Sequence, residues 1–189
     1  MNVYCQLVRP ERPYAIMTAS PPNNGRLPVT PEVLTEARAM IAAARHAALG
    51  SLSPEDGWPV VTRIGIAPFE QGRVAALVSG LTAHTPALLN DERCALMIGE
   101  TGKGDPLAHP RLMLKCEARA VRRDDAAFAA VRAACLTAQP KSALYADLPD
   151  FIGIVFTPLS VSFNAGFGRA YAFEGALLDG GSEAGAGNP

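Results

Sequence analysis

Residues 78–91 read VSGLTAHTPALLND and place the end of an apolar strand directly before a short helix. The strand is predicted from Arg73 to Val78, where apolar and partly β-branched residues are typical of a largely buried strand. Gly80 interrupts it, Thr82 is the predicted N-cap, and Ala83 to Leu89 supply about two helical turns. This strand-to-helix break is the point from which the rest of the chain is interpreted.

Hydroxyl and imidazole side chains gather at the break. Ser79, Thr82 and Thr85 provide neutral hydrogen-bond donors, and His84 provides one that can carry a charge. A helix start also presents unpaired N–H groups and the positive end of the macrodipole, both of which favour an anion. The pattern indicates a phosphate site, and the alternative is an ordinary capped helix after a strand.

The strand before this one carries a single arginine. The segment from Trp58 to Ala67 is strongly apolar except for Arg63 in its middle. Arginine is rarely buried without a partner, and its rigid fork of donors suits a phosphate or a polar ring edge. The alternative is an edge-strand arginine that faces water. Gly65 would let a flat ligand approach the backbone closely, so Arg63 and the hydroxyl cluster together predict an anion site on adjacent strands.

The remaining pattern predicts a mainly β protein with peripheral helices, an α+β fold built on a small antiparallel barrel. Short strands joined by hairpins dominate, and the continuous α/β alternation of a Rossmann domain is missing. Further strands are predicted over 49–52, 58–67, 93–99, 112–121, 151–156 and 160–164. Helices are predicted from Thr30-Pro31 until Gly50 and from Asp124 until Pro140.

Composition fits one soluble domain and excludes several classes of protein. Hydrophobic residues make up 49% of the 189 residues, and the formal net charge of −1 gives no case for nucleic acid or an anionic membrane surface. No apolar run is long enough for a membrane span, and residues 1–23 lack the apolar core of a secretory signal, so a cytoplasmic location is expected. Cys5, Cys94, Cys116 and Cys135 are scattered, so no metal site is predicted.

These residues resemble the pyridoxamine 5'-phosphate oxidase-related FMN-binding split barrels, and most closely the haem-utilisation branch of that family. The resemblance is carried by SGLTAHT (79–85), GDPLAHPRL (104–112) and GFGRA (166–170), and it extends from Val29 to Phe173. It implies an antiparallel FMN-binding split β-barrel and a homodimer with FMN at the subunit interface. The expected barrel domain covers 29–173. Prolines near the start suggest a flexible N-terminal arm over 1–28 or a start site assigned too early, and a composition rich in Gly, Ala and Asp suggests a disordered tail over 174–189.

The resemblance also implies which residues contact FMN. Arg63 matches the arginine that opens the FMN-contacting strand, while His84 and Thr85 stand where two basic side chains hold the phosphate in the oxidases. Arg169 matches an arginine that reaches FMN bound mainly by the other subunit. The complete implied set is Arg63, Ile64, Gly65, Val78, Ser79, His84, Thr85, Arg111 and Arg169, and Lys115 or another neighbour is the alternative to Arg111. No side chain is identified as a catalytic acid or base.

Departures from the oxidases argue against pyridoxamine 5'-phosphate as the substrate. Pro68 stands in place of a lysine that grips the substrate phosphate, and Ala165 and Phe167 replace a substrate-contacting arginine and histidine. Leu159 replaces the matching tryptophan. The expected function is therefore an FMN-dependent oxidoreductase acting on another, unknown small molecule.

Two alternative functions stay open. One is a haem-binding or haem-degrading protein, for which His46, His84 and His109 are the imidazole candidates. Haem-degrading relatives carry a further C-terminal region that contributes to haem binding, and no histidine follows His109 in this sequence. The other alternative is a non-catalytic flavin-binding module.

Overall fold

A single 14-residue strand organises the fold in the computed structural model, which describes residues 26–180. The helices are α1 (Pro31–Ala43), α2 (His84–Asn90) and α3 (Phe128–Ala138). The strands are β1 (His46–Leu52), β2 (Pro59–Gly65), β3 (Ala67–Pro68), β4 (Val74–Ser79), β5 (Arg93–Ile98), β6 (Arg111–Val121), β7 (Phe151–Asn164) and β8 (Ala170–Glu174). All eight strands join one antiparallel sheet, which confirms the predicted mainly β architecture with peripheral helices.

Strand β7 pairs with other strands along both of its edges, and two different strands share one of these edges. Strand β6 pairs with it from Arg111↔Asn164 to Val121↔Gly153. On the opposite edge, β4 pairs with its first half, and β8 pairs with its second half. The strand order along the sheet is β2-β1-β5-β6-β7-β4-β3, and β2 and β4 approach each other in space, so the sheet is curled.

The inner face of the curled sheet forms the main core. Alternate residues of β6 (Leu112, Leu114, Cys116 and Ala118) are at most 7% exposed, whereas the residues between them face outward. Helix α1 closes the core with the apolar stripe Val33, Ala37 and Ile41, whose spacing places all three on one helical face. A smaller cluster lies under α3, where Val131 packs with Val121 and Val155.

The first helix is shorter than predicted. It ends at Ala43, and Gly50 lies inside β1 rather than at a helix C-terminus. From His46 onwards burial alternates, with Ala47, Leu49 and Ser51 pointing inward. Pairing with two neighbouring strands therefore overrides the helical propensity of this alanine-rich segment.

Two further predictions are corrected at strand ends. Helix α2 begins at His84 with Ala83 at its N-cap position, because the Thr82 hydroxyl donates to the Ser79 carbonyl instead of capping the helix. The two predicted strands 151–156 and 160–164 are the single strand β7, which continues through Pro158. The register shifts beside this proline, where a missing N–H is tolerated.

The ordered chain extends beyond the predicted C-terminal boundary at residue 173. Glu174 ends β8, and Gly175–Leu178 form a 3-10 turn in which Leu178 is only 2% exposed. At the other end, the Leu27 N–H donates to the Ala170 carbonyl at 2.9 Å. The rest of the predicted arm and tail, residues 1–25 and 181–189, lies outside the described residues. Among residues 26–180, no helix is both long and apolar enough to span a bilayer.

Candidate functional site

A groove of about 560 Å³ crosses the outer face of the sheet. Small residues on β1 and β5 (Ala48, Gly50 and Ala95) form its floor, and register pairs Ala48 with Met97 and Gly50 with Ala95. Longer apolar side chains surround this floor: Val61, Met97 and Met113. The Val61 side chain is 72% exposed. Small side chains between larger ones create a shallow apolar bed that a flat ligand can cover.

Arginines stand at both sides of the groove. Arg63 is exposed and is paired in register with Ala48, and among the described residues no hydrogen bond or ion pair engages its guanidinium. Arg111 lines the groove on β6, where its Nη1 donates to the Leu107 carbonyl at 3.0 Å. Because β1 and β5 lie between β2 and β6, three strand spacings, about 14 Å in all, separate the strand of Arg63 from that of Arg111. The groove is therefore apolar in its middle and cationic at its ends.

The hydroxyl cluster predicted beside Arg63 lies on the opposite, inner face of the sheet. His84 is 7% exposed and Thr85 is 2% exposed. The Ser79 carbonyl accepts from the Thr85 hydroxyl at 2.6 Å and from the Thr82 hydroxyl at 2.7 Å. These side chains thus satisfy one another within the strand-to-helix turn.

The hydrogen bonds of His84 define its tautomer. Its Nε2 lies 2.9 Å from the Thr82 hydroxyl, and its Nδ1 lies 3.1 Å from the Thr62 hydroxyl. With the Thr82 proton donated to the Ser79 carbonyl, we assign the ring hydrogen to Nε2, which donates it to Thr82. Nδ1 is then the acceptor for Thr62. Burial lowers the pKa of His84, which favours the same neutral ring.

The same cluster connects three parts of the sheet. Through Thr62, His84 links β2 to the turn between β4 and α2. The Ser79 hydroxyl donates to an Asp150 carboxylate oxygen at 2.5 Å and accepts from the Leu81 N–H at 3.1 Å. Asp150 directly precedes β7. The cluster therefore fixes the place where β2 approaches β4, and it contributes no cation to the groove.

The other residues of the predicted FMN set occupy different surroundings. The Ile64 and Val78 side chains are buried in the core at 4% and 3% exposure, so only their backbones are available to a ligand. A Cβ on Gly65 would meet the Gln139 Nε2 at 2.7 Å. The Gln139 carboxamide donates to the Ile66 carbonyl at 3.2 Å. The glycine thus makes room for Gln139, which is a different reason from the close ligand approach that the sequence suggested.

Arg169 lies in the turn between β7 and β8. Its Nη2 donates to a Glu36 carboxylate oxygen at 2.7 Å, and its Nη1 donates to the Ala165 carbonyl at 3.4 Å. Within one subunit, then, Arg111 lines the groove, and the register of β1 with β2 places Arg63 beside the groove residue Ala48. It places Ser79, His84 and Thr85 in the buried turn, and Arg169 in a separate ion pair.

Comparison with known proteins identifies the fold. No protein-family model and no curated protein sequence matches the chain. One solved structure shares 40% identity over 79% of this chain and 97% of its own, with a TM-score of 0.71. A heme binding protein from Mycobacterium smegmatis shares 29% identity over 80% of this chain, also with a TM-score of 0.71. The matched region spans 62% of that second protein's length.

More distant structures share the fold alone. ChuZ from Campylobacter jejuni matches at 18% identity and a TM-score of 0.69, over 78% of this chain and 61% of its own. A protein of the pyridoxinephosphate oxidase family from Clostridium acetobutylicum matches at 14% identity and a TM-score of 0.57, over 77% of this chain and 96% of its own. An FAD-binding protein from Mesorhizobium loti matches at 13% identity and a TM-score of 0.56, over 71% of this chain and 94% of its own.

The chain belongs to the pyridoxamine 5'-phosphate oxidase-related split-barrel family. The resemblance derived from the sequence is confirmed, and ChuZ shares the fold. Sequence reasoning nevertheless missed Thr62, Asp150 and Gln139, which support the split barrel around the site. A period-two pattern places Thr62 and Arg63 on opposite faces, so the role of Thr62 could have been found there. Asp150 meets Ser79 from 71 positions along the chain, and no local pattern signals that contact.

Proposed function

We propose that this split barrel is a flavoprotein that binds FMN and uses it in an oxidoreductase reaction on a small molecule other than pyridoxamine 5'-phosphate. One observation carries the proposal: Arg63, an exposed arginine with no protein partner among the described residues, is paired in register with Ala48, which belongs to the groove's floor of small residues. The fold is shared with an FAD-binding protein and with a member of the pyridoxinephosphate oxidase family, which supports a flavin as the ligand.

The residues present fit FMN in charge and shape. A phosphate needs a cation, and Arg63 is exposed beside the groove. A flat ring needs a shallow apolar bed, which Ala48, Gly50 and Ala95 provide within about 560 Å³. The backbones of Ile64, Gly65, Val78 and Ser79 and the side chain of Arg111 complete the proposed contact set from one subunit. Bound FMN would supply the electron-transfer chemistry, and the protein would orient the ring and exclude water from it.

Two members of the set, His84 and Thr85, act differently from their counterparts in the oxidases in this proposal. His84 is neutral, and both its ring nitrogens are engaged by threonines, so we propose that it and Thr85 hold the phosphate-side turn in place. In the proposed homodimer, Arg169 of one copy reaches the FMN of the other. This contact requires Arg169 to exchange its ion pair with Glu36 for the cofactor.

The phosphate contact is tested by measuring FMN affinity in purified variants. A visible spectrum of the isolated protein, followed by titration with FMN, gives the Kd. Arg63→Ala should weaken binding at least tenfold, because a charge-assisted phosphate contact is lost. Arg63→Ala combined with His84→Ala should abolish FMN retention. Arg122→Ala, which removes another exposed arginine, is the matched control. An unchanged Kd in Arg63→Ala, or a protein that takes up no FMN, contradicts the proposal.

Haem is the second candidate ligand, because the heme binding protein from Mycobacterium smegmatis is among the more similar structures. His46 stands on the same outward face of β1 as Ala48, with its Nε2 2.7 Å from a Glu100 carboxylate oxygen. His84 is buried, and the His109 Nε2 lies 3.2 Å from the Lys103 carbonyl. Haemin titration should give a shifted Soret band that His46→Ala removes and His109→Ala preserves, if haem is the ligand.

A non-catalytic flavin module would be distinguished by turnover. Bound FMN that no nicotinamide nucleotide reduces, and that oxygen does not reoxidise at a useful rate, would favour binding without catalysis. Reduction and reoxidation at rates typical of enzymes would favour the oxidoreductase.

A further inference from the structure

A second groove of about 650 Å³ continues from the first one along the same face of the sheet. The two grooves share Arg26, Met113 and Ser162 in their walls. The segment before α1 forms one side of the second groove, because the Leu27 N–H bonded to the Ala170 carbonyl keeps this segment beside β8. The second groove is therefore a built extension of the first.

Polar groups without protein partners line the floor of this second groove. Lys115 on β6 is paired in register with Ser160 on β7, and Met113 is paired with Ser162. Side chains two positions apart on a strand share a face and lie about 6.6–6.8 Å apart. Among the described residues, none of the side chains of Lys115, Ser160 and Ser162 makes a hydrogen bond or ion pair. An ammonium group and two hydroxyls thus converge on one patch of the sheet.

Apart from Arg26 and Glu174, the other residues of the lining are mainly apolar. Val29, Met113 and Leu177 supply apolar walls. Of the described residues that line the groove, Glu174 alone carries a carboxylate, and it forms no ion pair with Lys115. Lysine offers three donors and no acceptor, so its preferred partner is an anion. The combination selects a molecule with an apolar body and one anionic group.

We propose that the second groove is the substrate site and that it binds an apolar carboxylate, with the carboxylate on Lys115, Ser160 and Ser162. This inference rests on the proposed function, since the first groove then holds FMN and the shared wall at Met113 lies between the two ligands. The apolar body of the substrate would extend past Met113 towards the flavin. A carboxylate has two oxygens in one plane, which suits one ammonium flanked by hydroxyls on a neighbouring strand.

The probe is naphthalene-2-carboxylate, and its neutral counterpart is naphthalene-2-carboxamide. Binding is measured by fluorescence titration on the protein as purified, before any FMN is added. The carboxylate should bind at least tenfold more tightly than the carboxamide, because the charged hydrogen bonds are lost in the amide. Lys115→Gln should weaken carboxylate binding about tenfold and leave carboxamide binding unchanged. Lys141→Gln, at an exposed lysine of another surface, should change neither.

Several results would overturn the inference. Equal affinity for the two probes would exclude recognition of the charge, and wild-type affinity in Lys115→Gln would exclude this lysine. Inorganic phosphate competing as well as the carboxylate would show a charge site with no selection for an apolar body. A dimerisation defect in Lys115→Gln with unaltered probe binding would assign the lysine to an interface instead.

A second titration separates this inference from the proposed function. When FMN is bound, the carboxylate should perturb the flavin absorption spectrum in the wild type and much less in Lys115→Gln at the same concentration. A protein that binds the carboxylate through Lys115 but takes up no FMN would refute the flavoprotein assignment and retain the anion site. A protein that binds FMN but not the carboxylate would refute the anion site and retain the flavoprotein assignment.

Discussion

Replacing Thr62 by valine should destabilise the split barrel by about 1–2 kcal/mol. Valine keeps the shape of threonine but removes the hydroxyl that donates to the His84 Nδ1 across 3.1 Å. The ring is only 7% exposed, so the acceptor is left buried without its partner, a loss that costs about 1–3 kcal/mol. Thr62 itself is half-buried, and water entering from its side keeps the cost in the lower part of that range.

Denaturant unfolding measures this loss as a lower midpoint with an unchanged slope. The corresponding shift in Tm is about 2–8 °C. Nitrogen NMR of the imidazole should show hydrogen on Nε2 in the wild type, with a changed Nδ1 resonance in Thr62→Val. Thr62→Ser retains the hydroxyl and should keep most of the stability. Thr157→Val, at an exposed position of β7, is the second control. An unaltered midpoint and an unaltered Nδ1 resonance in Thr62→Val would refute the assigned tautomer.

Three further predictions concern pH, packing and thiol reactivity. Burial lowers the pKa of His84 below its ordinary 6.5, so the unfolded chain is protonated first as pH falls. The contribution of His84 to the free energy of unfolding should therefore be constant above about pH 6.5 and should decrease as the pH falls below that value. In His84→Gln, the free energy of unfolding should depend less on pH in this range. A Cβ at Gly175 would collide with the Pro158 carbonyl, so Gly175→Ala should lower the free energy of unfolding by about 3 kcal/mol or more. A Cβ at Gly180 meets nothing within 4 Å, so Gly180→Ala should be neutral. Equal denaturation midpoints for the two variants would contradict this packing. Burial raises the pKa of Cys94 and of Cys135 to about 12, so neither thiol should react with iodoacetamide at pH 8 in the folded protein. Mass spectrometry should find both cysteines unmodified in the folded protein and alkylated in denaturant. Rapid labelling of the folded protein would argue against their burial.

The strand pattern was predictable wherever one face of a strand is buried. A strand was predicted over 112–121, and the structure has Arg111–Val121 with alternate residues buried. The five-residue strand β8 was missed, because its identity as a strand depends on pairing with the second half of β7. The continuity of β7 through Pro158 was missed for a similar reason. A proline inside a strand usually indicates an interruption, and only the register shift against β6 accommodates it here.

The site was predictable in its local part only. The sequence correctly places Ser79, His84 and Thr85 at one strand-to-helix turn, since all three lie within seven positions. It did not reveal that the turn faces inward while Arg63 faces outward, because that depends on how the curled sheet closes. The space beside Gly65 is taken by Gln139, whose carboxamide reaches the Ile66 carbonyl from 73 positions away. Contacts at such distances leave no periodic trace in the sequence.

The central position of β7 has a consequence for how the chain folds. One edge of β4 pairs with β3, its neighbour in sequence, but the other edge has no partner until residues 151–156 are present, since Val74 pairs there with Phe156. Such long-range pairing raises the contact order, and sheets dominated by it fold in milliseconds to seconds. During synthesis this edge of β4 stays unpaired until β7 leaves the ribosome. A nascent chain stopped before Phe151 should therefore remain protease-sensitive, and resistance should appear in one step once Asn164 has emerged.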